Sequence, residues 1–404
     1  MSIVRHENVG QDDDGPPPRG RNAGTAISID RLVDVAQCAI RYVTVNPPGS
    51  ERSLAEWFGS HLSRHGFAIE YVSNGDERAS LVARLRGRDE RPGLILSGHL
   101  DVVPEGGRAW THPPFAAVHE SGFLYGRGAV DMKGPIAAVV EAAIVFAESG
   151  TLPAGDLIVA LTAGEEVDMS GARGIVESGL IDGADAIVIA EPTNLGIAIA
   201  EKGCYRLEIE CAGRAAHAST PGLGANAVLA MAEFIMSLDA LDDGARHPLL
   251  GGLTCSPNVI AGGAAANVVA DACRAEIDVR TLPGQSADDV VARARRIGDG
   301  VAARRGVTLT IGNLGFPPVE TDPGASIVAD TARAVEEIVG ARPMPTGALY
   351  ATDAAVLAPA LGLPFVIIGP GDPALAHQVD ERVAIADLAR AARIYAALIE
   401  RRLR

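Results

Sequence analysis

Apolar positions along this chain recur in two rhythms. In the first half and again near the end they form short runs, several of them apolar throughout, at residues 67–72, 81–85, 94–96, 157–161, 186–190 and 365–368. Runs without alternation predict strands buried on both faces of a sheet. Between them lie stretches of helical spacing. The first carries Leu32, Val35, Ala39, Ile40 and Val43 behind a capping Ser28 and is stopped by Asn46-Pro47-Pro48-Gly49. Others are predicted over 50–65 (ended by Gly66), 135–149, 171–178 and 325–339, with a last one through Ile385, Leu388, Ala392, Tyr395 and Leu398. This interleaving predicts an α/β domain with a mostly parallel, helix-flanked sheet.

From Cys204 the rhythm changes. Tyr205, Leu207, Ile209 and Cys211 alternate with charged residues, as do Cys273, Ala275, Ile277 and Val279, and Val307, Leu309 and Ile311 alternate with threonines. Strict alternation means a sheet with one wet face. Two amphipathic segments, through Val228, Ala232, Ile235 and Met236 and through Val290, Val291, Ala294, Ile297 and Val301, complete a split β-α-β, ferredoxin-like α+β domain. Because continuous apolar runs resume afterwards, this smaller domain is inserted in the first. The expected boundaries are a disordered tail over 1–27, a discontinuous domain over 28–202 and 317–404, and the insertion over 203–316.

A length of 404 residues suits about two to three domains. A net charge of −16 without a compact Lys/Arg cluster argues against nucleic acid as a partner. The cysteines at 38, 204, 211, 255 and 273 are odd in number and lack a C-x-x-C pair, which fits reduced thiols in a cytoplasmic protein. The N-terminus has no apolar core for a secretory signal, and no apolar stretch is long enough to span a membrane.

The candidate chemistry sits at the exits of the apolar runs. His99 and Asp101 follow the 94–96 run at a spacing that puts both on one side, with His99 as a ligand and Asp101 orienting it. Asp131 lies in a glycine-punctuated loop. Glu165-Glu166 follow 157–161, Glu191 follows 186–190, and His377 follows 365–368. In open α/β sheets, ligands bind beyond the carboxyl ends of the strands, so these residues can converge on one rim. Each has an ordinary explanation taken singly, as a solvated turn or loop residue. Jointly they exceed what one zinc needs and suit two metals, with one carboxylate of the Glu165-Glu166 pair left over to accept a proton from water.

Six ordered segments then identify a family: Gly98 to Pro104, Gly126 to Gly134, Glu165-Glu166, Ala190 to Thr193, Gly213 to Ser219 and Ala376 to Glu381. They resemble the dinuclear zinc metallohydrolases related to acetylornithine deacetylase, succinyl-diaminopimelate desuccinylase and glutamate carboxypeptidase. The resemblance implies that Asp131 bridges two divalent ions, and nitrogen and oxygen donors suit Zn2+ by default, with Co2+ or Mn2+ open. It assigns His99 and Glu191 to one ion, Glu166 and His377 to the other, Glu165 as general base and Asp101 as the support of His99. It also implies that the insertion is a lid that forms a homodimer, with His217 reaching a partner's site to stabilise an oxyanion, and that Asn267 and Arg280 contact a carboxylate-bearing small-molecule substrate. Two departures fall where substrate shape is read: Leu349-Tyr350-Ala351 precede Thr352-Asp353 in place of glycines, and Ala355 stands where relatives carry arginine.

The expected activity is hydrolysis of an amide bond in a small N-acyl amino acid or related compound. A carboxypeptidase or dipeptidase on the same scaffold is the alternative. A non-catalytic metal-binding protein that kept the fold would be expected to have lost Glu165 or His217, and both are present. A dinucleotide-binding oxidoreductase is disfavoured, because Gly126-Arg127-Gly128 lacks the third glycine of the phosphate-binding turn.

Overall fold

The computed structural model describes the backbone of Ile3–Val4 and residues 26–404. Apart from those two residues, which pair antiparallel with Val72 and Tyr71, the tail over 1–27 falls almost wholly outside the described residues. The chain forms two compact units: 1–199 with 321–346 and 352–404, and 200–320 with 347–351. The second unit thus begins at Ala200, ends at Glu320 and takes back the short stretch 347–351, which the sequence boundary left with the first domain.

The centre of the first unit is a parallel array in the order Leu157–Thr162, Gly93–His99, Ala184–Ile189, Phe365–Ile367. Antiparallel strands Ala79–Leu85 and Ala68–Ser73 extend it on one side. Gly93–His99 and Leu157–Thr162 are buried along their whole length, as a sheet with both faces covered requires. Helices Arg52–Ser63 and Lys133–Glu148 share one face. A Cβ on Gly59 would strike the Tyr71 ring, and one on Gly98 would come within 2.9 Å of Ile136 and Met132. Gly98 is therefore what lets the second helix settle against the strand that ends in His99.

Helix ends correct two expectations. Ser28 caps Ile29–Arg41 by accepting from the Arg31 N–H, but the helix stops at Arg41 and Val43 is 56% exposed rather than part of the buried stripe. The second helix is Arg52–Ser63, and Ser50 does not cap it. The Ser50 hydroxyl donates to the Val43 carbonyl, while Glu51, at the cap position, turns its buried carboxylate to Arg78. A three-stranded sheet of Arg382–Ala384, Phe123–Tyr125 and Val118–Glu120 was not predicted, its strands being too short to establish a rhythm.

The second unit is a four-stranded antiparallel sheet in the order Thr254–Gly262, Ala272–Thr281, Gly203–Ala212, Thr308–Phe316, with helices Ala227–Met236 and Ala287–Arg305. This is the β-α-β-β-α-β arrangement. Burial on Gly203–Ala212 alternates residue by residue, and the buried set packs on Met231, Phe234 and Val301. The edge strand Thr254–Gly262 is exposed almost throughout and carries no apolar rhythm, so the sequence did not reveal it.

Candidate metal centre

The four parallel strands of the first unit run in one direction, so their carboxyl ends share a rim. His99 is the last residue of its strand and is 1% exposed. Glu191 lies two residues beyond Ala184–Ile189, and the 163–166 turn directly follows Leu157–Thr162. Gly164 holds φ at +83°, the left-handed geometry that turns the chain back and presents the two glutamates. Asp131 ends the loop before helix Lys133–Glu148, and His377 lies in the loop after Phe365–Ile367.

These residues meet in two groups that share Asp131. His99 Nε2 is 2.9 Å from Asp131 Oδ1 and 3.4 Å from Glu191 Oε1. His377 Nε2 is 3.2 Å from Asp131 Oδ2 and 3.1 Å from Glu166 Oε1. Each oxygen of one carboxylate thus faces a different imidazole, the layout of a bridge between two cation positions.

Asp101 supports this arrangement in two ways. Its backbone carbonyl accepts from His99 Nδ1 at 3.0 Å, which orients the ring so that Nε2 faces the site. Its carboxylate, 3.5 Å from the same nitrogen, is engaged elsewhere. Oδ1 accepts from the Gly164 and Glu165 N–H groups at 3.0 and 3.1 Å, and Oδ2 from the Glu166 N–H at 3.2 Å and Asn46 Nδ2 at 2.8 Å. The side chain read as the support of His99 is chiefly the anchor of the Glu165-Glu166 turn. Asn46, read from sequence only as a helix stop, completes it.

The electrostatics show crowded negative charge. Burial, then Glu191, Glu166 and Asp353, hold the Glu165 carboxyl well above its usual range despite the opposing pull of His99. Burial and Asp131 push Glu191 up to about 7 and raise Glu166 as well. Hydrogen bonds to Asp131 and Glu166 take His377 to about 10. Burial opposes charge on His99, but Glu191, Asp101 and Asp131 outweigh it and hold the ring well above the histidine range. Oxygen and imidazole donors that converge with an excess of buried negative charge fit a pair of divalent cations.

Two pairs of buried side chains frame the centre. Asp353 accepts from the Thr162 hydroxyl. Glu381 pairs with Arg127. Glu381 closes the Ala376 to Glu381 segment and Asp353 follows Thr352, but neither is read from sequence as a site residue. His217, Asn267 and Arg280 belong to the second unit. His217 is exposed, its Nδ1 lies 2.7 Å from the Ser219 hydroxyl, and the Asn267 carbonyl accepts from the Ala218 N–H. Arg280 is half-buried and ion-paired with Asp278 at 2.7 Å.

A discontinuous α/β unit with this rim and an inserted α+β unit defines a two-unit hydrolase scaffold. The chain belongs to Peptidase family M20/M25/M40, whose profile it matches over residues 95–401. It is 30% identical over 367 residues, 83% of this chain and 88% of the relative, to a probable succinyl-diaminopimelate desuccinylase of Staphylococcus aureus strain MSSA476. It is 31% identical over 397 residues, 89% of this chain and 91% of the relative, to the N-formyl-4-amino-5-aminomethyl-2-methylpyrimidine deformylase of Bacillus subtilis strain 168. Its fold matches that of aminopeptidase PepT from Bacillus cereus ATCC 10987 with a TM-score of 0.78 and 21% identity, covering 93% of this chain and 99% of that one.

Proposed function

We propose that this chain is a metal-dependent hydrolase that cleaves an amide bond in a small N-acyl compound, using two divalent cations. The observation that carries this reading is Asp131, whose two oxygens face His99 and His377 separately. In this reading His99, Asp131 and Glu191 hold one cation and Asp131, Glu166 and His377 the other, with zinc preferred and cobalt or manganese accepted by the same donors. Such a pair, when bound, supplies positive charge that polarises the scissile carbonyl and acidifies a water.

The chain's own residues then handle protons and position. Glu165, as its carboxylate, takes the proton of the attacking water and passes it to the departing nitrogen. Asp101 and Asn46 keep the turn that carries Glu165 in place. The family resemblance gives 203–316 the role of a lid that pairs two copies, with His217 donating to the oxyanion in the site of the second copy. The reading places the enzyme in the cytoplasm, and no helix among the described residues is long and apolar enough to cross a membrane.

The relatives named as a desuccinylase and a deformylase favour an acyl group on nitrogen over a peptide. Metal-free protein reconstituted with Zn2+, Co2+ or Mn2+ is to be assayed on N-formyl, N-acetyl and N-succinyl compounds beside dipeptides. Turnover restricted to peptides would replace the deacylase reading with a peptidase one. No turnover by protein that holds two cations would remove the enzymatic reading.

A further inference from the structure

Arg127 and Glu381 have no part in the chemistry above, yet they are among the most deeply buried charged residues, at 1% and 0% exposure. The small sheet brings them together. Tyr125 pairs with Arg382, so the chain enters the Asp131 loop directly beside the point where it leaves the His377 loop. Glu381 Oε1 accepts from the Val130 and Asp131 N–H groups at 2.8 and 3.1 Å, and its Oε2 accepts from Arg127 at 2.6 Å. Arg127 also donates to the carbonyls of Gln378 at 3.4 Å and Pro104 at 3.2 Å, and its guanidinium lies 5.1 Å from the centre of the Trp110 ring. The Gly126 N–H donates to the Glu381 carbonyl at 2.9 Å.

The two cation positions differ in how much they need this strut. His99 ends a central strand and is held by the Asp101 carbonyl, and Glu191 leaves the neighbouring strand. His377 has neither support. Its side chain is 47% exposed and its backbone sits at φ +62°, a left-handed conformation that a non-glycine residue keeps only when its surroundings enforce it. Replacing a buried ion pair with apolar groups is often neutral for stability, so stability alone is a weak reason for this one.

Resting on the two-cation reading, we propose that Glu381, with Arg127 as its counter-ion, is a positioning residue. It ties the His377 loop to the backbone of Asp131, and so sets the Asp131–Glu166–His377 cation position in preference to the His99–Asp131–Glu191 one. Gln in E381Q has a single acceptor end, so its NH2 must face either Arg127 or the Val130 and Asp131 N–H groups, all of them donors, and the strut loses one of its two legs while side-chain shape is preserved.

The test titrates Co2+ into metal-free full-length wild type, E381Q, R127M and H377A, followed by visible absorption and calorimetry, with melting curves for each. Wild type should bind two cations. E381Q and R127M should weaken the looser step by about 10- to 100-fold, the range typical of residues that orient metal ligands, and leave the tighter step essentially unchanged. H377A should lose that same looser step. Equal weakening of both steps, or no change in a variant that melts like wild type, overturns the proposal. Should E381Q fail to fold, R127M decides it by the same criterion. A wild type that binds fewer than two cations overturns the two-cation reading and this one together, whereas two wild-type cations with an indifferent E381Q overturns this one alone.

Discussion

The two halves of the candidate centre are built on different foundations. His99 and Glu191 come from the ends of central parallel strands and are buried, while Glu166 and His377 come from loops, and the His377 side chain is 47% exposed. A strand end inherits the rigidity of the sheet. A loop has to be held by hydrogen bonds outside the group it presents, as Asp101 holds the 164–166 turn. One half therefore reports on the fold and the other on local anchoring.

The strongest intervention removes chemistry without touching either half. Glu165→Ala should lower turnover by about 10²- to 10⁴-fold, while metal analysis still finds two cations. A matching loss of bound metal would mean that Glu165 belongs to one of the halves. Next comes the contrast itself. His99→Ala leaves buried carboxylates without their partner and should cost about 3–5 kcal/mol in denaturant unfolding of the metal-free protein. His377→Ala, half-exposed, should stay within about 1 kcal/mol by the same measurement. Equal costs would erase the distinction.

A smaller effect is expected at the anchor of the turn. Asp101→Asn keeps the volume but places an amide opposite N–H donors, and should cost about 1–3 kcal/mol. Turnover should fall more steeply than metal content, because the displaced groups are the N–H donors of the Glu165 turn. The smallest effect lies away from the centre. Burial, assisted by His65, Arg64 and Arg31, lowers the pKa of His61, which stacks on Trp57, to about 4. The unfolded chain therefore binds a proton at this residue at higher pH than the folded one does. The associated stability is complete above pH about 6.5 and is lost as pH falls towards 4. His61→Phe should flatten the decline in melting temperature across that window, and an unchanged slope would reassign the acid sensitivity to other groups.

Much of this arrangement was readable from residue order. Unbroken apolar runs marked the parallel strands, and strict alternation from Tyr205 onwards marked the inserted unit, because the number of wet faces on a sheet is written directly into side-chain polarity. The exits of those runs marked His99, Glu166, Glu191 and His377, and a glycine-punctuated loop marked Asp131, all of which the fold brings together in two groups. Short or exposed elements were not readable. Val118–Glu120, Phe123–Tyr125 and Thr254–Gly262 carry too little periodic burial to stand out from loops.

Residue types and their order were enough to indicate that carboxylates and imidazoles crowd the rim of an α/β sheet, since burial pattern and strand direction are local properties of the chain. Which oxygen of Asp131 faces which histidine, that the Asp101 carboxylate serves the glutamate turn, and that Glu381 reaches back to residues 127, 130 and 131 became visible only in the folded molecule. Those contacts join residues far apart in sequence through angles and distances of a few ångströms, and no local pattern of polarity encodes them.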